Sequence, residues 1–300
     1  MIAALAWLVA CSGSNGPAGP GPQTGAPQIP SAVSPLVAAM YQRLPEYIRS
    51  ALAETRALLP RNPRLAAQIN AKIMLLQRPT LVAEIINGRF YVEGSVTSIS
   101  GQTIPMAALF AEEWMRAEAT ESIRFLERVL PVLEGFIDMP FPHTIVRVWY
   151  GFKVGHTGGG GQLYLEDRTS YESGTPATRL PHEEILAHEL AHSYINNESL
   201  TQFLEMYAYS RVNGATTDIA SWTFAREYSA FAVDNQDSAA LLDGYQLIGH
   251  EGMSRAYTAV VPLRPLYGAP LSSRARQVFV DQAPEPIKAQ VADKIGRITF

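Results

Sequence analysis

The sequence predicts an α+β protein that is mainly helical and carries a small mixed sheet. Apolar residues recur at helical spacing over several long segments, and two short runs between residues 144 and 166 alternate as strands do. Two histidines four residues apart lie on a further predicted helix. The chain has 300 residues, of which 47% are hydrophobic and 17% charged, so it can bury one large core or two smaller ones.

Residues 1–30 predict a lipoprotein signal, over 1–10, followed by a flexible tether. The apolar run ends in a Leu-Val-Ala-Cys sequence at Cys11 that resembles a bacterial lipobox. Cys11 is the only cysteine of the chain, and Gly, Pro and Ser are frequent from Ser12 to residue 30. No Lys or Arg precedes the run, unlike in most secretory signals. The resemblance implies a lipid anchor on Cys11 in the cell envelope, at the outer membrane or the cell surface.

Residues 31–139 are expected to form a mainly helical region. Helices are predicted over 33–58 and 64–78, because apolar residues recur there at helical spacing. Pro60 and Pro63 mark the break between them.

A β-hairpin is expected within this region. Residues 81–86 and 89–97 are its predicted strands, and Asn87-Gly88 is a strong signal for the turn. Residues 106–136 are then predicted to form one long helix or two that separate near Pro131.

Residues 140–300 are predicted to form the catalytic region. Residues 144–152 and 162–166 alternate β-branched or aromatic residues with others, which predicts two strands. Four glycines, 158–161, lie between them, and a mobile hairpin loop is expected because no Lys-Ser or Lys-Thr follows as in a phosphate-binding loop. The chain is predicted to be helical after residue 215 and irregular over 262–286.

The sequence His188-Glu189-Leu190-Ala191-His192 indicates a metal site. Positions i and i+4 share one face of a helix, so both imidazoles can reach one ion while Glu189 lies beside them as a base for water. The surrounding residues are mostly apolar, and buried titratable groups are rare unless paired or metal-bound. Upstream, Pro181 and two glutamates suit the first turn of a helix.

A second helix is predicted over 200–212. Ser199 and Gln202 have the spacing of a capping box, and Gly214 indicates the end of the helix. Glu205 lies among apolar neighbours in this helix, where a carboxylate needs a partner, and a metal ion would be one. We therefore expect Glu205 as the third ligand.

The alternative third ligand is Glu198. It follows two asparagines in a predicted break between the helices, so a solvated loop carboxylate is expected. The metzincin pattern is excluded, because it requires a glycine and a histidine where the chain has Ile195 and Glu198.

These two helices resemble those of gluzincin zinc metallopeptidases, and among them the aminopeptidase-N-like lineages. The likeness spans about residues 140–260, and it rests on the HExxH sequence and on Glu205 followed by Ala208. Met206 departs from the usual glycine, the interval between the second histidine and Glu205 is short, and the Gly-x-Met-Glu-Asn signature of the aminopeptidases is absent.

The resemblance implies a two-helix site that binds one Zn²⁺ ion and cleaves peptide bonds in a peptide or protein substrate. It also implies that the substrate lies along the strand before the catalytic helix, over 162–166, and that a later Tyr or His stabilises the oxyanion. The sequence offers Tyr228, Tyr245, His250 and Tyr257 without a deciding spacing. Tyr228 and Tyr245 are our candidates.

Other partners and functions are constrained by charge and composition. The net charge is −4 and the sequence has no basic cluster, so no nucleic-acid partner is expected. Two imidazoles and a carboxylate would also accept other transition metals. Two alternatives to an active peptidase stay open: a catalytically silent gluzincin-like binding or scaffold module at the cell surface, and a structural helix with coincidental histidines.

Overall fold

The structure is a computed structural model that describes residues 29–30, 32–168, 182–222, 236–265 and 270–298. It is mainly helical and has one small mixed sheet, which confirms the predicted α+β class. The helices of the described chain are α1 Pro35–Leu58, α2 Ala66–Leu76, α3 Leu81–Asn87, α4 Arg116–Ile137, α5 His182–Ala191, α6 Glu198–Val212, α7 Gln236–Val260, α8 Ser273–Asp281 and α9 Lys288–Gly296. Single 3₁₀ turns occupy Pro63–Leu65, Glu113–Met115, Ile219–Ser221, Val261–Leu263 and Glu285–Ile287.

Within the described ranges, the sheet has five strands in the order β1-β2-β3-β5-β4. Their bounds are β1 Tyr91–Thr97, β2 Thr103–Phe110, β3 Val146–Tyr150, β4 Thr157–Gly159 and β5 Gln162–Leu165. β2, β3 and β5 run parallel, while β1 and β4 pair antiparallel at the two edges. The strands predicted over 144–152 and 162–166 are confirmed as β3 and β5.

The predicted hairpin at Asn87-Gly88 is wrong, because the segment before it is α3. Gly88 has φ −76°, whereas the hairpin turn that this dipeptide favours needs positive φ. Leu81 and Ile85 are one helical turn apart and fully buried, so the segment is a helix because that conformation buries both side chains on one face. The hairpin lies further on: β1 pairs with β2, from Tyr91 opposite Leu109 to Thr97 opposite Thr103.

The helix predicted over 106–136 begins too early. Residues 103–110 form β2, in the interior of the sheet, and the end of this strand is buried without alternation. Such a run has no period that distinguishes a buried strand from a buried helix. α4 begins at Arg116, and Pro131 lies inside it without ending it.

The helices predicted over 33–58 and 64–78 are confirmed as α1 and α2. The irregular structure predicted over 262–286 is wrong in part, because α8 lies within it. Ser272 caps α8 by accepting a hydrogen bond from the Ala275 amide at 3.1 Å, and the helix buries Phe279. The prolines of this stretch fall outside α8, so they do not interrupt it.

One cluster of buried apolar side chains runs from Val37 to Ile298. Since β2 and β3 pair, the sheet joins the region 31–139 to the region 140–300. α4 lies against β1 and β2 and also against α5, α6 and α7, so it connects the sheet to the helices. No helix in the described ranges is both long and apolar enough to cross a bilayer.

Candidate metal centre

α5 and α6 pack against each other, and these two helices and the turn between them carry the predicted metal-site residues. α5 ends at Ala191, and α6 begins at Glu198 rather than at the predicted residue 200. The cap of α6 is Asn197, whose side-chain oxygen accepts from the Leu200 amide at 3.1 Å. Ser199, predicted as the cap, instead donates to a carboxylate oxygen of Asp237 at 2.9 Å. Glu198 therefore lies in the first turn of a helix, not in a loop.

The rings of His188 and His192 face each other with their Nε2 atoms. Their Nε2 atoms are 3.0 Å apart. Nδ1 of His188 is 2.6 Å from Oε2 of Glu205, and Nδ1 of His192 is 3.3 Å from the Ile195 carbonyl oxygen. A carbonyl and a carboxylate accept hydrogen bonds, so each Nδ1 carries a proton, and the two Nε2 atoms face the same space between the rings, where a metal ion could bind both.

Glu198 completes a group of three donors with this pair. Oε2 of Glu198 lies 3.3 Å from Nε2 of His188, and Oε1 lies 3.5 Å from Nε2 of His192. Zn²⁺ with bonds of about 2.0–2.2 Å in tetrahedral geometry needs ligand atoms about 3.3–3.5 Å apart. The two contacts of Glu198 match this spacing, and the two Nε2 atoms at 3.0 Å lie slightly closer. Among the described residues, these three offer ligand atoms within 4.8 Å of one another.

Glu205, the expected third ligand, lies at the other side of His188. The Glu205 side chain is 2% exposed and contacts Nδ1 of His188. The Glu198 side chain is 31% exposed and contacts Nε2 of the same ring. Seven residues span about two helical turns, so both carboxylates project from one face of α6. This spacing, with an asparagine cap before Glu198, is the sequence signal that could have identified Glu198 as a site residue.

The charges of the site shift the pKa values of its groups. Burial raises the pKa of Glu189 to about 7. The positive charge of His188 opposes this rise, and the negative charges of Glu198 and Glu205 add to it. Burial also lowers the pKa of His192. Although burial disfavours its charged form, His188 has a pKa well above the usual value because Glu205 and Glu198 adjoin it. A buried carboxyl group with a pKa near neutrality suits proton transfer.

The glycine run predicted as a mobile loop forms the β4–β5 hairpin. Gly158 and Gly159 belong to β4, and Gly160 and Gly161 turn with φ values of 61° and 71°. Positive φ at both central residues is the geometry of a type I′ hairpin turn. β4 is the edge strand beside α5, whereas β5, the strand expected to lie along a substrate, is internal.

Tyr245 lies behind α6, away from the histidine pair. Its hydroxyl donates to the Thr217 carbonyl oxygen at 2.6 Å, and its ring contacts Phe203 at a centroid distance of 5.6 Å. Phe203 is two residues from Glu205, which is about 200° around the helix, so the two residues point to opposite faces of α6.

The other downstream candidates among the described residues pack on this rear face as well. His250 stacks on Tyr207 at 5.7 Å, and Tyr257 donates to the Leu200 carbonyl oxygen at 3.0 Å. Tyr228 and Cys11 lie outside the described residues. The structure thus brings together Glu189, both histidines and the two carboxylates of α6, but not Tyr245.

Comparison with known proteins gives structural neighbours at low identity. A mutant M1 zinc metallopeptidase from Deinococcus radiodurans bound to a Tyr-Ser-Ala substrate has a TM-score of 0.47 at 14% identity, covering 68% of this chain and 51% of that chain. A two-domain M1 zinc metallopeptidase mutant bound to L-tryptophan has a TM-score of 0.49 at 14% identity, covering 70% and 52%.

Legionella pneumophila aminopeptidase A in complex with aspartic acid has a TM-score of 0.43 at 13% identity, covering 69% of this chain and 26% of that chain. This chain therefore spans about half the length, or less, of these solved structures. No protein-family model and no curated protein matches the sequence.

Proposed function

We propose that this protein is a zinc-dependent metallopeptidase with one metal ion. His188 and His192 would hold the ion through Nε2, and Glu198 would be the third ligand. The observation that carries the proposal is the convergence of these three donors, with separations of 3.0–3.5 Å, beside the buried carboxyl group of Glu189. Glu205 would hold the ring of His188 through Nδ1 rather than bind the metal.

The bound ion would supply Lewis acidity, which polarises the scissile carbonyl and acidifies water. Glu189 accepts a proton from the water that attacks the carbonyl carbon, and it returns this proton to the leaving amine nitrogen. Burial disfavours the charged form of the Glu189 carboxyl group, which suits a residue that holds the proton between the two transfers. An extended peptide would lie along the edge of β4 that does not pair with β5 and form main-chain hydrogen bonds with it. Such hydrogen bonds accommodate peptides of many sequences.

The deciding experiment compares wild-type protein with Glu189→Gln on an unbiased peptide library. We expect zinc-dependent cleavage by the wild type and a loss of at least about 100-fold in Glu189→Gln, because the proton acceptor is missing. Zinc content, measured by elemental analysis, should be equal in the two proteins. Zinc-loaded wild type that cleaves no peptide would favour the silent binding module, and a reconstituted chain without zinc would favour a structural helix.

We also propose that Cys11 carries a lipid anchor at the outer membrane or the cell surface. The Leu-Val-Ala-Cys sequence and the Gly, Pro and Ser residues after it support this proposal. Metabolic labelling with palmitate should mark the wild type and leave Cys11→Ala unlabelled. Equal labelling of the two proteins would contradict it.

A further inference from the structure

β4 contacts the catalytic helix main chain to main chain. A Cβ atom built on Gly158 would lie 2.2 Å from the carbonyl oxygen of Glu189 and 2.8 Å from both its carbonyl carbon and its Cα. These are backbone atoms of α5, so they cannot rotate away as a side chain would. A Cβ on the next residue, Gly159, would lie 4.0 Å from the carbonyl oxygen of His192, which is ordinary contact. The strand therefore lies beside the turn of α5 that carries the motif, with its closest contact at Glu189.

In the proposed function, a peptide lies along the edge of β4 that does not pair with β5. β4 pairs with β5 on one side, and no strand of the described chain pairs with its other side. The register places Gly158 opposite Leu163 and Gly159 opposite Gln162. Because Gly158 contacts the backbone of Glu189 directly, the position of this edge relative to the Glu189 backbone is set by van der Waals contact.

We propose that Gly158 is a positioning residue: its missing side chain sets the distance between a peptide on the β4 edge and the carboxyl group of Glu189. This inference rests on the proposed peptidase function. Any larger residue at 158 separates β4 from α5. β4 is the element that moves, since it has three residues and, in the described part of the chain, pairs only with β5, whereas α5 packs against α4 and α6.

The test is Gly158→Ala in the full chain, loaded with zinc. A displaced edge still binds peptide, so KM should change less than about threefold. kcat should fall about 10- to 100-fold, because a misplacement of about 1 Å at the reacting groups has that effect. Zinc affinity, measured by chelator competition, should stay within about twofold of the wild type, since all three ligands lie on α5, α6 and the turn between them.

Gly94→Ala is the matched control. Gly94 lies in β1, the other edge strand, and a Cβ there would lie 2.3 Å from Oε1 of Glu127 and 2.5 Å from Cγ2 of Ile123. The same substitution therefore crowds side chains of α4, far along the sheet from β4. We expect a lower Tm with kcat unchanged. If zinc-loaded Gly158→Ala keeps the wild-type kcat, or if Gly94→Ala loses as much kcat, the positioning role is wrong.

A second variant covers the case in which Gly158→Ala does not fold. Gly161→Ala places a Cβ 2.6 Å from the Ile145 carbonyl oxygen and displaces the same hairpin without an added atom against α5. A fall in kcat at unchanged zinc affinity supports the role, and an unchanged kcat overturns it. If the wild type shows no hydrolysis that depends on Glu189, the proposed function fails. If the wild type cleaves peptides and Gly158→Ala and Gly161→Ala have the same kcat as the wild type, only the inference fails.

Discussion

At the scale of single residues, the two ring nitrogens of His188 have different partners. Nδ1 faces Glu205 at 2.6 Å, and Nε2 faces Glu198 at 3.3 Å and His192 at 3.0 Å. A metal-binding histidine commonly donates its other N–H to a carboxylate, which orients the ring and makes it a better ligand. In the proposed site, the two glutamates of α6 would therefore have separate tasks: Glu198 would bind the metal and Glu205 would orient the ring of His188.

Zinc affinity should separate these tasks. Glu205→Ala should weaken zinc binding about 10- to 100-fold, as removal of an orienting carboxylate does, and Glu205→Gln should weaken it less because an acceptor oxygen remains. Glu198→Ala should weaken it more than either, since a ligand is lost. Chelator competition measures all three dissociation constants, and Glu251→Ala, whose side chain is 90% exposed on α7, is the neutral control. A larger loss in Glu205→Ala than in Glu198→Ala would identify Glu205 as the ligand.

Burial of Glu189 should lower the stability of the metal-free protein as pH rises. The pKa of Glu189 is about 7 in the folded chain against 4.5 for an ordinary glutamate. The folded state thus binds the proton more tightly, and its stability falls as pH increases from 4.5 through 7. Glu189→Gln removes this dependence.

Urea unfolding of metal-free wild type and Glu189→Gln at two pH values measures the effect. The variant should gain more stability at pH 8 than at pH 5, by about 2 kcal/mol. An equal gain at both pH values would show that Glu189 titrates normally in the folded chain.

At the scale of elements, the start of α6 determines where Glu198 points. Asn197 is fully buried and its side-chain oxygen accepts from the Leu200 amide, so Glu198 is the first residue of the helix. An N-cap holds the first turn by satisfying an amide that has no partner within the helix. The cap is therefore part of what places the carboxylate beside the histidines.

Asn197→Ala should destabilise the protein by about 1 kcal/mol, as the loss of an N-cap does. It should also weaken zinc binding, because the first turn of α6 frays and releases Glu198. Asn197→Ser keeps a capping oxygen, so it should lose less stability and less zinc affinity than Asn197→Ala. Thermal unfolding and chelator competition on the three proteins give the comparison, and an alanine variant that binds zinc as tightly as the wild type would argue against the coupling.

Elements were predictable where a local pattern agreed with the packing. α1 has Ser34 as its cap and a proline at its start, so its position is encoded locally. α3 and β2 were not predictable, because the Asn87-Gly88 signal and the apolar run of 106–110 are compatible with either structure until neighbouring elements bury them. The edge position of β4 likewise follows from strand order, which no local pattern contains.

At the scale of the whole molecule, a buried ion pair joins α2 to the sheet. Nζ of Lys72 donates to Oδ2 of Asp167 at 3.0 Å and to the Gly151 carbonyl oxygen at 2.5 Å. The two side chains are only 6% and 1% exposed. Gly151 follows β3 and Asp167 follows β5, so Lys72 links α2 to the ends of these two strands.

Lys72→Met should destabilise the protein by about 3–5 kcal/mol, because it removes the ammonium group that contacts the buried carboxylate of Asp167. The double variant Lys72→Met with Asp167→Leu should regain much of this loss. Arg297→Met, at an exposed pair with Asp293, should be close to neutral. Urea unfolding measures all three, and a single variant as stable as the wild type would show that the pair contributes little to joining these parts.

The sequence by itself determined the α+β class, the two strands β3 and β5, and the helix that carries His188 and Glu189 and ends just before His192. These features follow from residue spacing along one element, and spacing is a local property. The tertiary structure alone decided which carboxylate faces which nitrogen of His188, that Tyr245 lies behind α6, and that Gly158 contacts Glu189. Each of these depends on how separate elements pack, and the burial that selects one packing is shared among residues far apart in the chain.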